Sequence, residues 1–214
     1  MSPSHISYFA HARCALLLAA IIEPMLCAGL GSKAAAAKWM AEKITWGTLS
    51  TISSRGPATT QGTSVGVPFG NPYSFADTFN GTLYFYATDM DASMIDIESG
   101  RSNISFALSE ASLSASSSAK PVTACTIGTP LGDPENPPCA RLVFTGQFSK
   151  VTAGSTEEAS ARKALFAKHP SFANYPPGHD FFVGKMELSG IWLIDFYGGA
   201  SIISPADYFG GSNE

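Results

Sequence analysis

The alternation of apolar and polar positions divides this chain into short strands punctuated by turns, with a few helical segments between them. Residues 33–44 are rich in Ala and contain no Gly or Pro, which predicts a helix ended by Trp46-Gly47. TLSTIS (48–53) alternates as a first strand, and residues 54–64 read as a Ser, Gly and Thr-rich loop. VGVPF (65–69) predicts a second strand, with Pro68 confining it to an edge or a bulge. Asn80-Gly81 is the strongest hairpin signal, and the aromatic run LYFYAT (83–88) follows it as a strand.

Further along, Asp91 is placed to cap a short helix reaching Glu98, with Met94, Ile95 and Ile97 inward. NISFALSE (103–110) and ARLVFTGQFSKV (140–151) predict strands, the second with a bulge at Gly146. The segment between them is serine-rich, then Pro and Gly-rich, and reads as irregular. Ser155 and Glu158 have capping-box spacing for a helix to Lys168. FFVGKMEL (181–188) and IWLIDFYG (191–198) read as two strands, and IISP (202–205) as a last short one. Mostly antiparallel strands interrupted by three helices make an α+β barrel in one domain, with no repeat or linker.

Composition narrows the partners. Of 214 residues, 45% are hydrophobic and 14% charged, with a net charge of −4. No basic run exceeds two residues, so phosphate-neutralising nucleic-acid binding is disfavoured. Residues 1–28 carry a weakly basic start, the apolar run CALLLAAII and small residues before Gly29, the order of a cleaved signal peptide. The rival readings are a membrane anchor, which Glu23-Pro24 interrupts, and a transit peptide, which the scarcity of Arg disfavours. Nothing after it is long and apolar enough to span a membrane as a helix. Cleavage leaves Cys125 and Cys139, expected to form one disulfide across a Pro and Gly-rich loop, two separate thiols being the alternative. Asn80 and Asn103 match the N-glycan acceptor pattern, and Asn80 at a hairpin tip is the more reachable.

The wording of three segments is more specific than any of this. GVPFGNPYSFAD (66–77), DPENPPCARLVFTG (133–146) and the stretch 161–200 resemble the CREG family, secreted glycoproteins built on the FMN-binding split barrel. The resemblance implies a six-stranded antiparallel split β-barrel with flanking helices over 33–210. It further implies a homodimer, a secretory-pathway location, extracellular or endolysosomal/vacuolar, and action through protein contacts in growth, differentiation or lysosomal function. The chain departs from the family wording at Thr78-Phe79 and in its Lys-containing first helix.

In flavin-binding proteins of this fold, basic residues on the second strand and after the third hold the phosphate. Here the corresponding segments have no Arg or Lys and instead carry Asp89, Asp91, Asp96 and Glu98, so no FMN is expected. Arg141 and Lys150 are the cations that would reverse this, making the chain an FMN-dependent oxidoreductase like pyridoxamine-phosphate oxidase. Ser50, Thr51 and Ser53 read as ordinary sheet hydroxyls. His169-Pro170 reads as a helix end. His179-Asp180 has the composition of an oriented base, but Ser171 and Tyr175 are its only neighbouring nucleophile candidates. Neither a catalytic residue nor a metal-ligand set is assigned.

Overall fold

The computed structural model describes residues 32–59, 62–78, 80–115, 125, 127–130 and 132–210. The proposed signal peptide at 1–28, and part of the loop between the cysteines, lie outside the described residues.

Helix α1 (Lys33–Lys43) starts where the Ser32 side chain accepts from the Ala35 N–H. Strands β1 (Trp46–Ile52), β2 (Pro68–Asp77) and β3 (Leu83–Ala87) follow, then helix α2 (Ala92–Glu98) and β4 (Asn103–Ser109). Strand β5 (Arg141–Lys150), helix α3 (Thr156–Lys168), β6 (Phe182–Ile194), β7 (Ser201–Ile203) and helix α4 (Pro205–Gly210) complete the chain. Two 3-10 turns, Pro170–Asn174 and Pro177–His179, connect α3 to β6. The strands are ordered β3-β2-β1-β4-β5-β6-β7, all antiparallel, and β3 also pairs with β6. The six strands β1–β6 therefore close into a barrel, with β7 added outside on β6. This is the α+β split barrel expected, with four α-helices among the described residues where three were expected.

Three local expectations need correcting. Strand β2 begins at Pro68 rather than Val65 and continues through GNPYSFAD to Asp77, well past the end expected at Phe69. Among the described residues no strand lies beside the far edge of β2 at Gly70, Asn71 and Pro72, so a proline's missing N–H removes no ladder bond there. The two apolar runs after residue 181 are one strand of 13 residues. The bulge lies on that strand and not on Gly146: Thr145 faces Gly190 and Gly146 faces Leu188, which leaves Ser189 extra. Gly146 is nonetheless required, because a Cβ there would sit 2.1 Å from the Glu187 carbonyl oxygen.

Inward positions of the strands supply the core. Phe75, Phe85, Phe106 and Phe144 are fully buried, with edge-to-face contacts of Phe106 to Phe75 and to Phe85 at 5.0 and 5.1 Å. Each such side chain contributes roughly 1.5–3 kcal/mol through burial. Ala37, Met40 and Ala41 of α1 and Tyr208 of α4 join the same core. A second cluster lies outside the barrel, where Ala161 and Leu165 of α3 pack on Ala76, Tyr84, Phe172 and Val183.

Candidate functional site

Strands β2 and β3 pair only through Phe75↔Phe85, Ala76↔Tyr84 and Asp77↔Leu83. Before Phe75, β2 stays on β1; after Phe85, β3 stays on β6. The two strands part, and the gap holds a cleft of about 230 Å³. Asn71–Ser74 of β2 form one wall, Tyr86–Thr88 another, Asp91 at the cap of α2 a third, and Phe172, Tyr175 and Phe181 of the α3–β6 connection the last.

The polar end of the cleft is built around Asp91. Its carboxylate accepts from the Ser93 N–H at 2.8 Å, which starts α2, and from Asn71 Nδ2 at 3.1 Å. Burial pushes the Tyr73 phenol up, and the negative charge and hydrogen bond of Asp91 add to the effect. Among the described residues Asp91 has no salt bridge. The apolar end is aromatic: Tyr86 and Phe181 stack at 4.9 Å, and Tyr175 lies 5.1 Å from Phe181. Behind Tyr86, Arg162 lies 5.2 Å from the ring and pairs with Glu158. The connection is fastened by the Thr88 hydroxyl, which donates to the His179 carbonyl at 2.5 Å, and it contains Asp180 at φ 46°.

The other carboxylates weighed for this end of the barrel are engaged. Lys150 pairs with both Asp89 and Glu98 and covers the Phe182 ring at 4.3 Å. Asp96 is fully buried and receives Arg55 Nε at 3.0 Å, the Ser54 N–H at 2.7 Å and the Thr51 hydroxyl at 2.8 Å. Burial alone would raise the Asp96 carboxyl, but these donors hold it below the usual carboxylate range. Arg55 stacks on Phe69 at 4.2 Å, and Arg101 donates to the Ser53 carbonyl at 2.9 Å. This network went unread in the sequence because Arg55 is a single cation in a Ser, Gly and Thr-rich loop. Its only sequence signal is the apolar-strand setting of Thr51 and Ser53. Ser50 is on the outward face of β1, and Arg141 lies at the opposite end of β5 from Lys150, about 30 Å away at 3.3–3.4 Å per residue.

The histidines are not brought together. His169 Nε2 donates to the Phe75 carbonyl at 2.8 Å and its ring stacks on Phe172, so it joins the packing behind the cleft. Burial, aided by the charge of Lys168, lowers its pKa against the opposing hydrogen bond. His169 is the C-cap of α3, the helix end expected, with its N–H donating to the Leu165 carbonyl, but burial disfavours a charge on its ring. His179 stacks on Phe181 at 5.9 Å, and no hydrogen bond joins it to Asp180 among the described residues. Ser171 is exposed, and Tyr175 is taken up in the ring cluster. No group of three His, Cys, Asp or Glu among the described residues is arranged to hold a metal.

The remaining assigned residues lie elsewhere. Cys125 and Cys139 are joined, S–S 2.09 Å with Cα atoms 4.5 Å apart, and both are buried. Asn80 is exposed at the β2–β3 turn, its Oδ1 accepting from the Thr82 N–H. Asn103 is also exposed, at the first position of β4, beside Gln147.

A closed six-stranded antiparallel barrel, split at one seam and flanked by helices, defines the split-barrel class. The family model described as "CREG, beta-barrel" matches residues 30–210, and the chain belongs to this family. It is 34% identical over 179 residues to Protein CREG1 of Gallus gallus, covering 81% of this chain and 83% of that protein. It is 32% identical over 182 residues to Protein CREG2 of Homo sapiens, covering 83% of this chain and 56% of that longer protein. Among solved structures, the heme binding protein from Mycobacterium smegmatis superimposes with a TM-score of 0.61 at 20% identity, over 84% of this chain and 60% of that one. The heme storage protein HutZ from Vibrio cholerae gives 0.51 at 12% identity, over 76% and 94%. At such identities these two likenesses speak for the fold alone. Among the described residues, no helix is long and apolar enough to cross a membrane.

Proposed function

We propose that this chain is a secreted or endolysosomal/vacuolar glycoprotein, a split-barrel homodimer without catalytic activity that works through protein–protein contacts. The observation that carries the reading is the charge at the split. Asp91 faces the cleft, while the nearby cations Lys150 and Arg55 are already neutralised by Asp89, Glu98 and Asp96. A flavin phosphate there would meet a carboxylate and, among the described residues around the cleft, no unpaired cation, Arg162 behind Tyr86 being held by Glu158. Two or three missing charge-assisted bonds, ~1.5–3 kcal/mol each, weaken such binding by several powers of ten.

The outer surface of the sheet supports the homodimer. One cross-strand row reads Pro72, Thr48, Ala107, Val143, Trp192 and Ile202, without a charge. Apolar and aromatic rows of this kind suit a two-fold interface. The disulfide supports the oxidising route. A role in growth, differentiation or lysosomal function follows from family membership alone, and the receptor or other partner is left unassigned. The test is light scattering together with an FMN titration. A mass of about twice the protomer at micromolar concentration, in a colourless protein that leaves flavin fluorescence unchanged, is expected. Stoichiometric yellow protein, or saturable quenching of flavin fluorescence at micromolar concentration, would instead favour the oxidoreductase reading.

A further inference from the structure

The same cleft that lacks a cation for phosphate has what an organic cation needs. Asp91 contributes a negative charge held by neutral donors only, Asn71, the Ser93 N–H and Tyr73. In the same cleft Tyr86, Tyr175 and Phe181 supply aromatic surface, and Tyr175 is 41% exposed, so the cleft is reachable. Aromatic rings attract cations through the negative potential of their faces, best where water is partly excluded. Arg162 already uses Tyr86 in this way from the helix side. The split between β2 and β3 puts the carboxylate and the rings in one space of about 230 Å³, with room for a small amine. The larger groove between α1, β7 and α4, about 590 Å³, has no such convergence: Lys33 pairs with Asp195, and Asp207 is hydrogen-bonded by Ser204.

We propose that this cleft is a binding site for a small organic ammonium ion, the cationic head at Asp91 and its alkyl groups against Tyr175 and Phe181. The site is the one whose chemistry argues against a flavin, but ammonium binding does not require the chain to be a dimer. Choline serves as probe, compared with its uncharged isostere in which carbon replaces the quaternary nitrogen, by isothermal titration into protein from a eukaryotic secretory host. Saturable choline binding is expected, at least about tenfold tighter than the isostere, in keeping with the strength of cation–π and carboxylate contacts. Asp91→Asn should weaken choline about tenfold at unchanged melting temperature, because Asn caps a helix as well as Asp does. Tyr175→Ala, a half-exposed ring, should also weaken choline and gives the decisive reading should Asp91→Asn impair folding. Equal affinity for the isostere, or no saturation by about 10 mM choline, overturns the proposal. A dimer that ignores choline defeats this inference alone, whereas a choline-binding monomer defeats only the homodimer reading.

Discussion

His169 shows how one side chain's surroundings set its chemistry. Its imidazole lies against Phe172 and donates to the Phe75 carbonyl, and burial keeps its folded pKa below the ordinary value of about 6.5. As pH falls through that value, the unfolded chain takes up a proton that the folded one resists. The contribution to stability therefore falls below pH of about 6.5 and levels off beneath the lower folded pKa. His169→Gln, which keeps a donor for Phe75 but cannot titrate, should flatten the melting-temperature profile between about pH 7 and 5. An unchanged slope would remove His169 from the acid response. Arg55 makes a sharper case. Its side chain is 4% exposed and Asp96's 0%, so Arg55→Ala strands a buried carboxylate, and chemical denaturation should report a loss of about 3–5 kcal/mol. A loss under about 1 kcal/mol would mean that Thr51 and Ser54 suffice to hold the charge.

Among the elements, β6 carries the most structure for its length. It pairs with β5 from Gly184 to Ile194, with β3 at Phe182–Met186 and with β7 at Ile191–Leu193, so it closes the barrel and extends it. The extra residue Ser189 falls between the stretch paired with β3 and the stretch paired with β7, where a bulge bends and twists the strand. Opposite it, Gly146 allows the Glu187 carbonyl to approach. Gly146→Ala forces β5 away from the bulge and should destabilise the protein by about 1–3 kcal/mol in thermal or denaturant melts. A neutral outcome would show that the bulge relaxes. The apolar runs of β5 and β6 were legible in the sequence. The continuity of β6 was not, because Ser189-Gly190 looks like a turn until β5 is seen pairing on both sides of it.

For the whole molecule, the disulfide matters most. It closes the Pro and Gly-rich segment before β5, and the chain-entropy model assigns a loop of this length ~3 kcal/mol. Cys125→Ser with Cys139→Ser should lower stability by about that amount, and alkylation of unreduced, denatured secreted protein should modify neither cysteine. The same preparation should begin near Gly29, and Asn80→Gln should remove one glycan's mass. Intact Met1 would rule out cleavage, and an unchanged mass would leave Asn80 without a glycan.

Local chemistry by itself determined most of the strands and helices, the Asp91 and Ser155 caps, the Asn80-Gly81 turn and the α+β class. Each of these rests on neighbours a few residues apart in the chain. The tertiary structure alone decided which charges are available. Asp89, Asp91, Asp96 and Glu98 look alike in the sequence, yet Lys150 crosses 61 residues to reach Asp89 and Arg55 crosses 41 to reach Asp96. Asp91 is left facing a cleft that exists only because β2 and β3 part company after three residue pairs. Periodicity records whether a side chain faces in or out; only closure of the barrel brings distant charges within the few ångströms at which they neutralise one another.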